Sequence, residues 1–225
     1  MKTVSKFFGI LATVMVTMIS MVAFAQTVVG PISPQGVDRP VRKVGASCSY
    51  DKTDDWKGAV VDKYTETVTA VSDGGYILTV THQSGATGLI KQTLNLNNTE
   101  DEGTLYTPDT ETYSFPLHVG KDWKIEYAYQ RSNGIRGRRV YTAKVVAEEL
   151  IDIPGVGNQL PTLKIQYDGY VNSVFVDGSA GKGNLRMTTW YAPAVGCAVK
   201  TKFEGTDYRG VVIDRISYVL TAFKP

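Results

Sequence analysis

Two cysteines, two histidines and a cluster of arginines carry the most specific chemistry in this 225-residue chain. Cys197 stands in "MTTWYAPAVGCAVKTKF" and Cys48 in "ASCSY". A nucleophilic cysteine needs a base within hydrogen-bond reach and surroundings that favour the thiolate. The histidines are His82, closing "YILTVTH", and His118, in "FPLHVGKDW", and the spacing puts neither beside Cys197. On a strand, Val195, Cys197, Val199, Thr201 and Phe203 share a face, opposed by Lys200 and Lys202; Ala46, Cys48 and Tyr50 share another, opposed by Ser47 and Ser49. An apolar face raises a thiol pKa, so the nucleophile is disfavoured. Both cysteines read as inward and as a candidate disulfide, with two buried free thiols as the alternative.

Arg131, Arg136, Arg138 and Arg139 surround an Asn-Gly in "RSNGIRGRR". The functional reading is an anion-binding hairpin for a phosphate, lipid headgroup or acidic glycan, and the plainer one is a solvated hairpin tip. Trp123, Tyr127, Tyr129, Tyr167, Trp190 and Tyr191 are candidates to line a cavity, against a role in core packing. "GSAGKGN" lacks the hydroxyl residue and spacing of a phosphate loop. Asp51, Asp54 and Asp55 match no dedicated ion loop, and scattered histidines with inward cysteines make a poor zinc set. No serine lies in a nucleophile elbow. No catalytic residue, metal or cofactor is implied, and carboxylate pairs for glycoside hydrolysis are visible only in three dimensions.

The compartment follows from the start of the chain. "MKTVSKFFGILATVMVTMISMVAFAQ" has basic Lys2 and Lys6, an apolar run, and Ala23-Phe24-Ala25, the pattern of a secretory signal peptide cleaved after Ala25. The expected location is the periplasm or the medium, with no transmembrane segment in the mature chain. Removing the two leader lysines from 24 basic residues leaves 22 against 22 acidic ones. A neutral exported chain argues against nucleic acid as a partner.

The rest of the sequence is organised by a period of two. Residues 26–45 hold Pro31, Pro34 and Pro40 with three glycines and read as an extended N-terminal arm, or a segment lying along the domain edge. From residue 46 to 225 a single β-rich domain is expected. In "WKIEYAYQ" Trp123, Ile125, Tyr127 and Tyr129 oppose Lys124, Glu126, Ala128 and Gln130, and "TLKIQYD" repeats the pattern. Further strands are expected near 64–71, 75–82, 88–96, 138–149, 185–192, 195–203 and 212–223. "YTAKVVAEELI" is the best helix rival, and its neighbours favour a strand. The expected architecture is one curved antiparallel sheet, half-barrel or barrel-like, with hairpin meander connectivity.

Several of these segments recur in a fixed order: "FPLHVGKDW", then "KVVAEELIDIPGVGNQLPTLKIQYDG", then "MTTWYAPAVGCAVKTKFEG" and "ISYVLTAF". The order resembles a family of bacterial exported proteins of uncharacterised function, with a late W-Y-A-P-x-V-G-x-x-V-K hairpin. The resemblance implies a curved β-domain similar in shape to periplasmic lipoprotein carriers and their outer-membrane receptors, and carries no catalytic residues across. Cys48 and Cys197 depart from the pattern, where Trp or Leu would be usual. Without the family, "WYAPAVG" reads as a tight connection: Pro193 ends ladder pairing, and Gly196 allows backbone that a larger residue resists.

The expected function is a non-enzymatic protein of the cell envelope that binds a lipid or other apolar small molecule within its curved sheet. The rival readings are a structural module contacting another envelope protein, and a hydrolase of envelope polymers with unidentified carboxylates.

Overall fold

Alternation of inward and outward side chains runs from Ser47 almost to the C-terminus and builds twelve strands: β1 (Ser47–Asp54), β2 (Ala59–Ser72), β3 (Gly75–His82), β4 (Thr87–Gln92), β5 (Asn98–Asp101), β6 (Thr104–Thr107), β7 (Asp122–Gln130), β8 (Arg136–Ile153), β9 (Gly157–Val174), β10 (Ala180–Ala192), β11 (Cys197–Asp207) and β12 (Val212–Lys224). The computed structural model describes residues 36–225. The expected leader and the first part of the arm lie outside the described residues. Each strand pairs antiparallel with its sequence neighbours, and β12 pairs with β1, closing a barrel. Closure leaves no unpaired sheet edge. The expected curved meander is what the chain forms.

The pattern that specifies the strands also specifies their faces. On β7, Ile125, Tyr127 and Tyr129 are buried while Lys124, Glu126, Ala128 and Gln130 are exposed. On β8, Tyr141, Ala143 and Val145 alternate with exposed Thr142 and Lys144, so the period of two prevails over the helix propensity of its Ala and Glu residues. Charged residues stand on the outer face of the central strands, where a membrane-spanning barrel would carry an apolar band. The main apolar core spans the barrel from Val68, Leu78, Val80 and Ile90 on β2–β4 to Ile125, Tyr127, Tyr141, Val145, Leu163, Ile165, Tyr167 and Tyr191 on β7–β10.

Two departures from the expected strands have local causes. β4 stops at Gln92 because Thr93–Asn97 forms a turn in which Leu96 takes a φ of 62° and buries its side chain in the core. Asn97, also buried, donates to the Tyr113 carbonyl and accepts from the Tyr113 N–H. β5 and β6 have four residues each, too short to show alternation.

Because the strands alternate in direction, the turns divide between two ends. The β1–β2, β3–β4, β5–β6, β7–β8, β9–β10 and β11–β12 turns lie at one end, called upper here. At the lower end the arm crosses the barrel mouth: Val37 bridges Leu117, the Tyr76 hydroxyl donates to the Pro40 carbonyl, and Arg42 enters the mouth. "WYAPAVG" is the tight β10–β11 connection, with Trp190 and Tyr191 on opposite faces of β10 and Gly196 at a φ of 73°.

Candidate functional site

Beside the main apolar core, open space remains in the lumen between β1–β5 and β11–β12. Three cavities follow one another from the lower mouth upward, with volumes of about 320, 190 and 210 Å³. The mouth cavity lies between the arm and the β10–β11 turn. The middle one is walled by Tyr50, Tyr64, Tyr113 and Tyr218, with Arg42 and Gln92. The upper one adds Lys52, Asp62, His82, Asp101 and Glu102. Among the described residues, Glu66 alone lines all three.

Strand pairing explains the assembly. Tyr50 on β1 lies opposite Tyr64 on β2, and their rings stack with centroids 5.3 Å apart. Tyr64 lies opposite His82 on β3, and Tyr218 of β12 meets the Tyr64 ring edge-on at 6.3 Å. The Tyr64 ring thus packs among Tyr50, His82 and Tyr218, and Lys52 lies over the Tyr218 ring at 5.8 Å.

The charges are arranged unevenly. His82 is held on both sides, Nδ1 2.7 Å from Asp62 and Nε2 2.7 Å from Glu102. These bonds to Glu102 and Asp62 raise the imidazole pKa against a smaller opposing effect of burial. Glu102 reaches His82 over Gly88, where any Cβ would collide with the Glu102 side chain. Arg42 spends its side-chain donors on the Gln92 amide oxygen at 3.3 Å and the Gly196 carbonyl at 3.0 Å. Neither these bonds nor any other among the described residues reaches the Glu66 carboxylate. Burial pushes its pKa up to about 7, with Asp101 and Glu102 adding to the rise and Arg42 opposing it. Asp101 is pushed up to about 6 by burial and by Glu102, moderated by a bond from Asn98. The upper cavity thus sets four carboxylates, Asp62, Glu66, Asp101 and Glu102, against two basic groups, Lys52 and His82.

Cys48 and Cys197 are joined as a disulfide that ties β1 to β11 at the lower end. The β11–β12 ladder reaches only to Lys200 opposite Val219, so Cys197 lies past its end and approaches β1. Both cysteines pack with Tyr50, Val199 and Leu220. The four arginines do not form one site. Arg136 and Arg138 face outward, and Arg131 lies over the Tyr129 ring. Arg139 points into the barrel, with Nη1 3.4 Å from the Tyr127 hydroxyl.

The aromatics divide as well. Tyr127, Tyr167 and Tyr191 are buried in the main core, and Trp123 packs against it with its indole N–H on the Glu111 carbonyl. Tyr129 points inward and bonds Ser173 at 2.7 Å. Trp190 faces outward beneath the long β8–β9 hairpin, where its indole donates to Glu149 at 2.7 Å and Lys164 and Lys200 lie over its ring. None of the six lines the three lumen cavities.

The twelve-strand closure and meander have a counterpart among solved structures. The barrel is similar to the YmcC-like fold. A crystal structure of a Bacteroides fragilis protein assigned as exported and YmcC-like is matched over 84% of this chain and 100% of its own, with a TM-score of 0.50 and 14% identity. The hypothetical lipoprotein YmcC of Escherichia coli is matched over 80% of this chain and 85% of its own, with a TM-score of 0.42 and 11% identity. No family model and no curated protein matches the sequence. At such identities the likeness is one of fold.

The residues that make the lumen were mostly invisible to pattern reading. Tyr50 was placed on an inward face, and the alternation of "ISYVLTAF" puts Tyr218 inward too. Glu66 and Asp101 carry no spacing signal, because what distinguishes them is a shared interior. Arg42 sits in a proline-rich segment that reads as an arm.

Proposed function

We propose that this protein is an exported, non-enzymatic component of the bacterial envelope that holds a small organic cation in the barrel lumen. The secretory pattern at the N-terminus and the fold shared with a protein assigned as exported support the compartment. The observation that carries the ligand class is Glu66, a carboxylate at the junction of three cavities, without a hydrogen-bond partner among the described residues and with Tyr64 and Tyr218 beside it. A cation in that space gains the carboxylate charge and the tyrosine hydroxyls, beside the Tyr218 ring over which Lys52 already lies. It also relieves the cost of ionising Glu66 and Asp101 inside the barrel.

An apolar ligand fits this lumen poorly, since its walls carry four carboxylates and tyrosine hydroxyls. A polymer hydrolase requires an open cleft, whereas the arm and the β10–β11 turn flank this mouth. Choline and its uncharged isostere 3,3-dimethylbutanol test the reading at pH 8. Choline is expected to bind and raise the melting temperature, the alcohol to do neither, and Glu66→Gln to abolish the difference. Equal effects of the two compounds would overturn it.

A further inference from the structure

A cavity larger than the three of the lumen lies outside it. It is a groove of about 820 Å³ on the outer face of β6–β10, within the size range of small-molecule sites. Register explains how it is built. Two adjacent outward rows cross five strands: Leu105–Gln130–Arg136–Val174–Ala180, and Thr107–Ala128–Arg138–Asn172–Lys182. The inward row between them is Tyr106–Tyr129–Gly137–Ser173–Gly181, so three consecutive strands place little or no side chain inside. Tyr129 lies across Gly137 to bond Ser173, and a Cβ at Gly137 would run into the Asn172 carbonyl. With that interior thinned, the groove lies over it on the outer surface.

Its lining has one sign of charge. Arg136, Arg138 and Lys182 border it, and no carboxylate does. Arg138 is paired with Glu126, outside the groove. Arg136 and Lys182 make no ion pair among the described residues, and Lys182 lies over the Tyr170 ring at 5.6 Å. The rest of the lining mixes polar Thr107, Gln130 and Asn172 with apolar Leu105, 51% exposed and next to Ala128, and with the Val174–Ala180 pair; the arginine and lysine stems add methylenes. Exposed apolar side chains at the β6–β7 end, beside the cations of β8 and β10, fit a molecule with an apolar chain and an anionic head.

We infer that this groove binds a single-chain anionic amphiphile, its chain over Leu105 and Ala128 and its carboxylate or phosphate head between Arg136 and Lys182. The site is separate from the lumen in position and opposite to it in charge.

Calorimetric titration of the full chain with dodecyl phosphate, below its micelle concentration, tests the inference against two controls: uncharged dodecyl maltoside and inorganic phosphate. Dodecyl phosphate is expected to bind one per chain and at least about tenfold more tightly than either control. Arg136→Ala combined with Lys182→Ala should weaken it about tenfold or more, and Leu105→Asp should weaken it comparably. Both are surface substitutions, and circular dichroism confirms that each variant is folded. Glu66→Gln should leave this binding unchanged, which separates it from the lumen. Equal binding of dodecyl maltoside, equal binding of inorganic phosphate, or unaltered affinity in the folded double variant would each overturn the inference.

Discussion

Arg42 donates to the carbonyl of Gly196 at 3.0 Å, fastening the N-terminal arm to the β10–β11 turn across the lower mouth of the barrel. The same guanidinium is the positive charge that opposes the rise of the Glu66 pKa. Arg42→Ala should therefore cost about 1–2 kcal/mol of stability and open the arm to proteolysis. It should also raise the Glu66 pKa further. Limited proteolysis with mapping of the cut sites checks this: cleavage confined to sites also cut in the wild type would contradict it.

The lumen sets a pH dependence whose sign is fixed. Glu66 and Asp101 hold their protons to about 7 and about 6 in the folded protein, above the ordinary 4.5 and 3.8. The folded state thus binds more protons than the unfolded state between those limits, and stability falls as pH rises. His82, raised by its two carboxylate partners, acts in the same direction: its contribution is complete below its ordinary value and is lost as pH climbs through the folded one. The melting temperature is expected to decline from pH 5 to pH 8. Glu66→Gln should flatten that slope and add about 1–3 kcal/mol at pH 8. A melting temperature that rises over this interval would refute the assignment.

Gly88 is a steric condition for the carboxylate on the outer side of His82. Gly88→Ala places a methyl where the Glu102 side chain passes, and should break the 2.7 Å contact to Nε2. The imidazole pKa should then fall toward its ordinary value, with a stability loss of about 1–2 kcal/mol. Proton resonance titration of His82 reads the shift directly; an unmoved titration would show that Glu102 has another route.

The disulfide joins residues 149 apart in sequence. Alkylation under denaturing conditions without reductant should find no free thiol. Replacing both cysteines by alanine should cost about 2–5 kcal/mol, chiefly because the unfolded chain loses its longest constraint. Two labels per chain would contradict the pairing.

How far the sequence discloses this molecule differs by element. β7 and β9 are legible because their apolar residues alternate without interruption, and β8 because Tyr141, Ala143 and Val145 keep the period despite helix-favouring neighbours. β5 and β6 are not, being too short for any period. Cys48 and Cys197 could be placed inward from their neighbours, but their meeting depends on β11 outrunning its ladder with β12, a fact of register. The arginine hairpin looked like one cluster in sequence and is split by alternation, with Arg139 inside and Arg136 and Arg138 outside. The lumen was least legible. It draws Arg42, Tyr64, Glu66, His82 and Asp101 from the arm and β2–β5, and barrel closure through β1–β12 brings Tyr218 to them.

The central claim is that a cation occupies the lumen at Glu66. A native mass spectrum of the protein isolated gently from its own envelope, recorded beside Glu66→Gln, tests it most directly. The account predicts an amine-bearing adduct on the wild type that disappears on denaturation and is missing from the variant. The same adducts on both proteins, or no amine on either, would contradict it.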